Sequence, residues 1–262
     1  MPVVAESLGS VRNAVRVLKA FSSRRRDYGV TELARTLGLT TSTVHRLLRT
    51  LQAENLVEQD PETGRYRLGL AVYDLVAASS AGYDLSEAVL PPMTVLRSRV
   101  GETVQLAVLD GREVVYVERL QSMHSLRMFL DVGRRNWAHS TSTGKVLLAH
   151  LEPLVLDRTL AGWELPVITV HTVTDHEVLR RQLSQIRHQG WAHNVDESEV
   201  GATSIGAPVR DVTGHVVAAL SVVGPSPRME HDLSAIRQAV VEAAAVASRR
   251  LGHSGRGVDH AS

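Results

Sequence analysis

The chain contains no cysteine, which excludes disulfides and thiolate metal sites and fits a reducing compartment without requiring one. It also lacks long apolar runs: nothing approaches the roughly 18 consecutive apolar residues of a membrane-spanning helix. Near the N-terminus, Arg12, Arg16 and Lys19 interleave with apolar residues, and there is no continuous apolar stretch of the signal-peptide kind. These absences point to a soluble, cytoplasmic protein with no membrane partner. Net charge is nearly missing too, at +1. That value excludes a uniformly basic nucleic-acid coat, so the distribution of charge has to be read instead.

The distribution is uneven. Residues 1–69 hold 11 Lys and Arg against 7 Asp and Glu, and the remainder holds 18 against 21. A basic front and a mildly acidic back is the asymmetry expected if only the first part meets phosphates. The full 262 residues, 44% of them hydrophobic and 22% charged, suffice for a small domain followed by one of ordinary size.

Val11, Ala14, Val15, Leu18 and Phe21 recur at spacings of three and four, which predicts an amphipathic helix over 10–22 with Ser10 as its N-cap. Arg24 to Gly29 reads as a polar loop. The segment from Val30 to Arg49 then meets the demands of a helix-turn-helix. Leu33, Leu37, Leu39, Val44 and Leu47 supply the inner faces, and Ala34 is small where the helices approach. Gly38 can end the first helix in a left-handed conformation, and Thr40 and Thr41 offer hydroxyls to cap the second.

After that helix, Val57 to Gln59 and Arg65 to Leu68 read as two short strands joined through Pro61 and Gly64. A hairpin in this place is the wing of a winged helix. Arg65 and Arg67 share one face of its second strand, where they can meet DNA backbone or minor groove. The second helix presents Thr41, Ser42, Thr43, His45, Arg46 and Arg49 as candidate DNA contacts. Its hydroxyls suit phosphates at a helix N-terminus, and Arg46 is the candidate base reader because arginine can pair bidentately with guanine.

These segments, together with Ala14-Val-Arg-Val-Leu-Lys-Ala-Phe21 and Gly64-Arg-Tyr-Arg-Leu-Gly69, resemble the IclR family of bacterial transcriptional regulators. The likeness continues through Gly101-Glu-Thr-Val-Gln-Leu-Ala-Val-Leu-Asp-Gly111, Val114-Val-Tyr-Val-Glu-Arg119 and His139-Ser-Thr-Ser-Thr-Gly-Lys145. It also takes in Gly190-Trp-Ala192, Ala207-Pro-Val-Arg-Asp211 and Val217-Ala-Ala-Leu-Ser-Val-Val-Gly-Pro225. The resemblance implies a GAF-like effector domain, dimers that commonly pair into tetramers, and control by a small metabolite. It further implies that an effector carboxylate is held ahead of the Gly-Lys pair and on the last strands. The matching positions are Ser142, Thr143, Ser204 and Ser221. Three positions depart from the family pattern: Ser204 replaces a common Cys, Val223 a common Ser, and Asn194 a frequent acidic residue. These departures favour an aromatic or otherwise bulkier acid, with Leu126, Met128 and Trp137 as candidate walls. Each of these residues also has a plain reading as core packing or a helix cap.

The second part reads on its own as strands and helices that fit an antiparallel sheet covered by helices. Val104 to Leu109 with Val114 to Arg119, and Ala202 to Val209 with His215 to Val223, read as hairpins, and Leu126 to Leu130 as a further strand. Helices are expected over 84–99, broken or kinked at Pro91-Pro92, and over 140–151, 175–189 and 229–251. The overall expectation is an α+β protein. It comprises a winged helix-turn-helix domain over 7–69, a linker helix over 70–83, an effector-binding domain over 84–251 and a flexible tail over 252–262.

Enzyme motifs fail on spacing. Around Thr143-Gly-Lys145 a phosphate loop would need Gly where His139 stands and Ser or Thr where Val146 stands. Gly201-Ala-Thr-Ser-Ile-Gly206 is one residue out of step with a nucleophile elbow. His171, His176, His188 and His193 are not spaced as a metal-binding helix pair. The sequence therefore names no catalytic residue, cofactor or metal. The expected function is a DNA-binding regulator, a repressor, that holds double-stranded operator DNA as a homodimer or dimer of dimers. A small organic acid, aromatic in the narrower reading, would control it. The alternative is a metabolite-binding module or enzyme that uses its N-terminal helices only to dimerise.

Overall fold

The computed structural model describes residues 8–21, 25–78, 80–125 and 132–254. The chain divides into two compact units, residues 1–83 and 84–262. In the first, α1 (Gly9–Ala20) is followed by a short strand β1 (Asp27–Tyr28), then α2 (Val30–Leu37) and α3 (Thr41–Ala53). Strands β2 (Val57–Gln59) and β3 (Tyr66–Leu68) and helix α4 (Ala71–Ala78) complete the described order. Val17, Leu33, Ala34, Val44, Leu48, and Tyr66 share one core, so the periodic apolar residues of three helices and the wing bury together.

Between α2 and α3 the chain turns at Gly38, whose φ of 65° lies in the left-handed region that glycine adopts without Cβ strain. The Leu39 N–H then donates to the Ala34 carbonyl at 2.9 Å. Thr40 caps α3 by accepting from the Thr43 N–H at 3.3 Å. Two expectations need correction here. Helix α1 starts at Gly9 with Leu8, not Ser10, in the capping position, and no side chain caps it. The segment read as a polar loop contains β1, which pairs with β3 on the edge opposite β2; Tyr28 is drawn in because it is buried against Phe21.

The second unit begins within α5 (Ser80–Val100), which is not divided at Pro91 and Pro92, where a break or a kink was expected. Pro92 has no N–H for the Ala88 carbonyl, and Arg250 Nε donates to that carbonyl instead, at 2.8 Å. Then follow β4 (Thr103–Asp110), β5 (Glu113–Leu120), β6 (Arg135–Trp137) and a single 3-10 turn (Ala138–Ser140). Helices α6 (Ser142–Ala149), α7 (Pro153–Leu160) and α8 (His176–Gln189) lead into β7 (Ala192–Val195), β8 (Ala202–Arg210) and β9 (Val216–Pro225). The helix expected over 229–251 is two, α9 (Ser226–His231) and α10 (Leu233–Arg250), separated at Asp232, whose φ of −120° leaves the helical range. Strands β6 and β7 and helix α7 had no sequence expectation. The strand expected over Leu126 to Leu130 lies outside the described residues, and so does most of the tail.

The sheet is antiparallel throughout, in the order β6-β5-β4-β9-β8-β7. Side chains alternate across it with a period of two. On one face Val104, Leu106, Ile205, Leu220 and Val222 pack against α5 and α10. On the other, Ala107, Tyr116 and Ala219 meet α6 and α8 in a second core with Val146, Leu148, Leu179, and Leu183. The architecture is α+β, with helices on both sides of one antiparallel sheet. Among the described residues no helix is long and apolar enough to cross a membrane.

Helix α6 lies so close to the 3-10 turn that a Cβ on Gly144 would come within 2.2 Å of the Ala138 carbonyl oxygen. Gly144→Ala is therefore expected to destabilise the second unit by at least about 1–3 kcal/mol, because backbone cannot swing aside. Gly9→Ala, with nothing within 4 Å of the added methyl, should not lower stability. Urea denaturation of the full chain compares them; equal midpoints would refute the close approach.

Candidate functional site

Two places concentrate the chemistry, one in each unit. On α3, Val44 and Leu48 are fully buried, which turns Thr41, Ser42, His45, Arg46 and Arg49 outward. Thr43 is half-buried, and its hydroxyl accepts from that of Thr40 at 2.8 Å. Ser42 lies 3.1 Å from the same Thr40 hydroxyl. The start of α3 is thus a hydroxyl cluster around the cap, followed along the same exposed face by His45, Arg46 and Arg49.

The wing arginines are engaged differently. Arg65 donates through Nε to Asp27 at 2.6 Å and through Nη2 to Glu32 at 2.8 Å, so it ties β3 to β1 and α2. The same Glu32 carboxylate takes Arg25 at 2.8 Å and the Gly29 N–H at 3.2 Å, and these contacts hold its pKa below the usual carboxylate range. Arg67 pairs with Glu58 across the hairpin at 2.5 Å but remains exposed. Sequence alternation placed both arginines on one face; it carried no sign that Arg65 is spent on the domain's own carboxylates.

The second place is a cavity of about 30 Å³ on the α6 face of the sheet, at the N-terminus of α6. Ser142, Ser204, Ser221 and Val223 line it together, as the spacing of strands β8 and β9 requires. Gly206 makes the close seating of α6 on β8 feasible, since a Cβ there would stand 3.2 Å from the Ser142 backbone. Thr141 caps α6, accepting from the Gly144 N–H at 3.0 Å.

Other expected residues lie elsewhere. Trp137 packs against Trp163, with ring centroids 6.2 Å apart, and does not line the cavity. Asn194 is buried and donates to the Ser140 carbonyl at 2.9 Å, which fixes the 3-10 turn to β7. Thr143 turns inward to the hydroxyl of Tyr116. Leu126 and Met128 fall outside the described residues. His139 is a core residue, edge-on to Trp163 and bonded to the Pro166 carbonyl at 3.0 Å; burial lowers its pKa and keeps it neutral.

The cavity wall also includes residues that sequence reasoning did not pick out. From β4, β5 and β6 come Gln105, Tyr116 and Asn136, joined by Arg134. Arg134 Nε donates to Asn136 Oδ1 at 3.3 Å, and Asn136 also meets the Tyr116 hydroxyl. Desolvation raises the Tyr116 pKa, so the phenol stays protonated. Ser198 and Glu199 close the cavity from the loop after β7. That loop is anchored by a buried ion pair, Lys145 Nζ to Glu197 Oε1, with Lys145 only 1% exposed. Burial lowers the Lys145 pKa, and Glu197 opposes that shift.

A wider hollow of about 680 Å³ opens near Arg99, Glu102, His124 and Arg228. Its buried carboxylate, Glu102, already receives two contacts from Arg228, at 2.5 and 3.0 Å. Size alone would favour this hollow, but the smaller cavity is the one where polar groups converge on a helix N-terminus. Among the described residues no three His, Asp or Glu side chains are grouped to hold a metal ion.

Comparison with known proteins agrees across both units. The model for the IclR helix-turn-helix domain matches residues 10–61, and that for the bacterial transcriptional regulator IclR C-terminal matches residues 77–249. The HTH-type transcriptional regulator XynR of Escherichia coli (strain K12) is 33% identical over 254 residues, covering 97% of this chain and 99% of that protein. The HTH-type transcriptional repressor AllR of the same organism is 31% identical over 231 residues, covering 88% of this chain and 85% of that protein. An IclR homolog from Microbacterium hydrocarbonoxydans, solved in complex with 4-hydroxybenzoate, superposes with a TM-score of 0.83 at 32% identity. That alignment covers 93% of this chain and 99% of the solved one.

The ion pair beneath the cavity gives a test. Lys145→Met alone strands a buried carboxylate and is expected to cost about 3–5 kcal/mol, whereas Lys145→Met with Glu197→Leu should recover most of that loss. Equilibrium denaturation of both variants decides it. A double variant no more stable than the single one would show that the two charges are not coupled.

Proposed function

The chain belongs to the IclR family of bacterial transcriptional regulators, and we propose that it is a homodimeric repressor released from its operator by a small organic acid. Within the family frame it is a regulator with a helix-turn-helix DNA-binding domain and an effector-binding C-terminal domain, not an enzyme. This removes the reading in which the N-terminal helices serve dimerisation alone.

The observation that carries the DNA-binding half is the outward face of α3. Arg46 and Arg49 stand exposed there with no ion-pair partner among the described residues. Arg46 reads a base edge in the major groove; Thr41, Ser42, Thr43 and His45 approach phosphate near the helix N-terminus. Arg67 and, with less freedom, Arg65 reach the flanking backbone from the wing. Two copies place two such helices about one helical turn apart on a pseudo-palindromic site. Pairing of dimers into tetramers extends the same reading.

In functional terms residues 7–69 bind DNA, 70–83 link, and 84–251 sense the effector. The protein works in the cytoplasm, where its operator is. Repressor polarity is supported by the name of the AllR relative. The effector's carboxylate sits at the start of α6 with Ser142, Ser204 and Ser221 around it, and Val223 adds an apolar wall. An aromatic acid draws support from the 4-hydroxybenzoate held by the Microbacterium homolog. By linkage, an inducing acid must bind the DNA-free form more tightly than the DNA-bound form.

Fluorescence anisotropy on a duplex from the gene's own upstream region, against a scrambled duplex across a salt series, tests the whole reading. Tight binding to the native duplex alone, weakening steeply with salt, is the expected result. Arg46→Ala should cost about 1–3 kcal/mol and relax sequence preference; unchanged preference would remove it as base reader. Ser204→Val with Ser221→Ala should abolish the response to acid and leave operator affinity intact. A surviving response would put the effector elsewhere.

A further inference from the structure

We propose that Glu58 is a specificity-determining residue for DNA: it restrains Arg67, so that the wing takes hold of phosphate only after α3 has seated in the groove. The proposal rests on the reading of the wing as a DNA contact and adds what decides when that contact forms.

Four arginines carry that reading, and they stand in three different conditions. Arg46 and Arg49 on α3 are exposed, with no ion-pair partner among the described residues. Arg65 is built into the domain, bridging Asp27 and Glu32. Arg67 lies between these extremes. It is the direct cross-strand partner of Glu58, and its Nε donates to Glu58 Oε1 at 2.5 Å. The two side chains are 60% and 47% exposed, so water and phosphate can both reach the pair. They follow Val57 and Tyr66, which are buried in the core, and so project from the opposite face of the hairpin. The Glu58 carboxylate makes no other hydrogen bond or ion pair among the described residues. It caps no helix and closes no turn; holding Arg67 is its whole engagement.

Charge in the rest of the wing points the same way. Asp60 and Glu62 sit in the turn, and hydrogen bonds from the Thr63 and Glu62 N–H groups hold the Asp60 pKa below the usual carboxylate range. From 57 to 68 the hairpin sets Glu58, Asp60 and Glu62 against Arg65 and Arg67. Non-specific binding draws almost wholly on positive charge, and a net acidic wing adds nothing to it. An exposed ion pair is worth up to about fivefold in an equilibrium constant. That keeps Arg67 on Glu58 beside a loosely bound duplex. It is small enough to be displaced once the base and phosphate contacts of α3 fix the backbone next to the wing. Discrimination then comes from a contact withheld from wrong DNA as well as from contacts made to the right one.

The test measures fluorescence anisotropy of the full-length protein on the native upstream duplex and on the scrambled one, across a salt series. Glu58→Gln keeps the shape of the side chain and removes its charge. It should tighten binding to the scrambled duplex about threefold at low salt. The salt slope there should steepen by about 0.9 for each phosphate that a freed Arg67 takes up. The native duplex should gain less, so the ratio between the two falls. Glu58→Gln with Arg67→Gln should lose the gain on scrambled DNA. A Glu58→Gln variant with unchanged or weaker scrambled binding overturns the proposal, and weaker binding to both duplexes would make the pair a brace for the hairpin. A gain that persists in the double variant also overturns it, since the carboxylate would then act on phosphate without Arg67. Arg67→Gln separates this proposal from the reading beneath it. If it weakens native binding while Glu58→Gln changes nothing, the wing contact stands and the restraint falls. If Arg67→Gln leaves both duplexes unaffected, the wing does not touch DNA and both fall.

Discussion

Lys145 is the largest fully buried side chain in the molecule's described part, and its charge has one partner, Glu197. An ammonium removed from water is tolerable only beside a carboxylate that is itself well held. Glu197 is held: its backbone carbonyl accepts from Thr172 at 2.7 Å, and its side chain faces the Val173 N–H at 3.4 Å. Thr169 bonds the preceding carbonyl, that of Asp196, at 2.7 Å. Helix α6, the loop after β7 and the segment before α8 are thereby locked to one another through one buried charge pair. The N-terminus of α6 and the pair Ser198–Glu199 face each other across the cavity because that lock fixes both.

The same sheet serves two demands on its two faces. Toward α10, residues 104 and 106 of β4, 205 and 207 of β8 and 220 and 222 of β9 are all apolar and form an unbroken core. Toward α6, the alternating positions include Gln105, Ser204 and Ser221. Apolar side chains there would give a better core at a gain of about 25 cal/mol per Å² of newly buried apolar surface. The polar residues forgo that gain at the head of α6, and farther along that face Ala107, Tyr116 and Ala219 resume the packing.

Local chemistry made the first unit legible. Gly38 and Thr40 predict a stop and a cap without reference to anything distant, and the structure uses both as read. The two hairpins of the second unit were equally visible, because their turn glycines, Gly111 and Gly214, take positive φ. What the sequence could not display were contacts between remote positions. Where α5 continues through Pro92, the Ala88 carbonyl left open is taken up by Arg250, 162 residues from Ala88. The loop over the cavity depends on a pair 52 residues apart. Strands β6 and β7 are three and four residues long, too short for a period to register. At the cavity, family resemblance led to Ser142, Ser204 and Ser221, whereas Gln105 carried no signal of its own in the sequence.

The cavity volume adds a final constraint. About 30 Å³ is far below the roughly 300–1,000 Å³ of ordinary small-molecule pockets. Accommodating an organic acid means that part of the wall gives way. Strands β4, β8 and β9 are hydrogen-bonded on both sides and cannot shift singly. Glu199 is exposed, and its loop sits between two residues of positive φ, Asp196 and Gly201. The Asp196 end is pinned, through Thr169 and through Ser226 at 3.2 Å, and Glu197 by Lys145, so displacement falls on Ser198 to Val200. Effector binding must then be strong enough to offset the closed loop as well as to fill the site. Apparent affinity is lowered by the fraction of molecules already open. A cover of this kind lowers the apparent affinity for whatever the cavity takes up and so raises the concentration at which it fills.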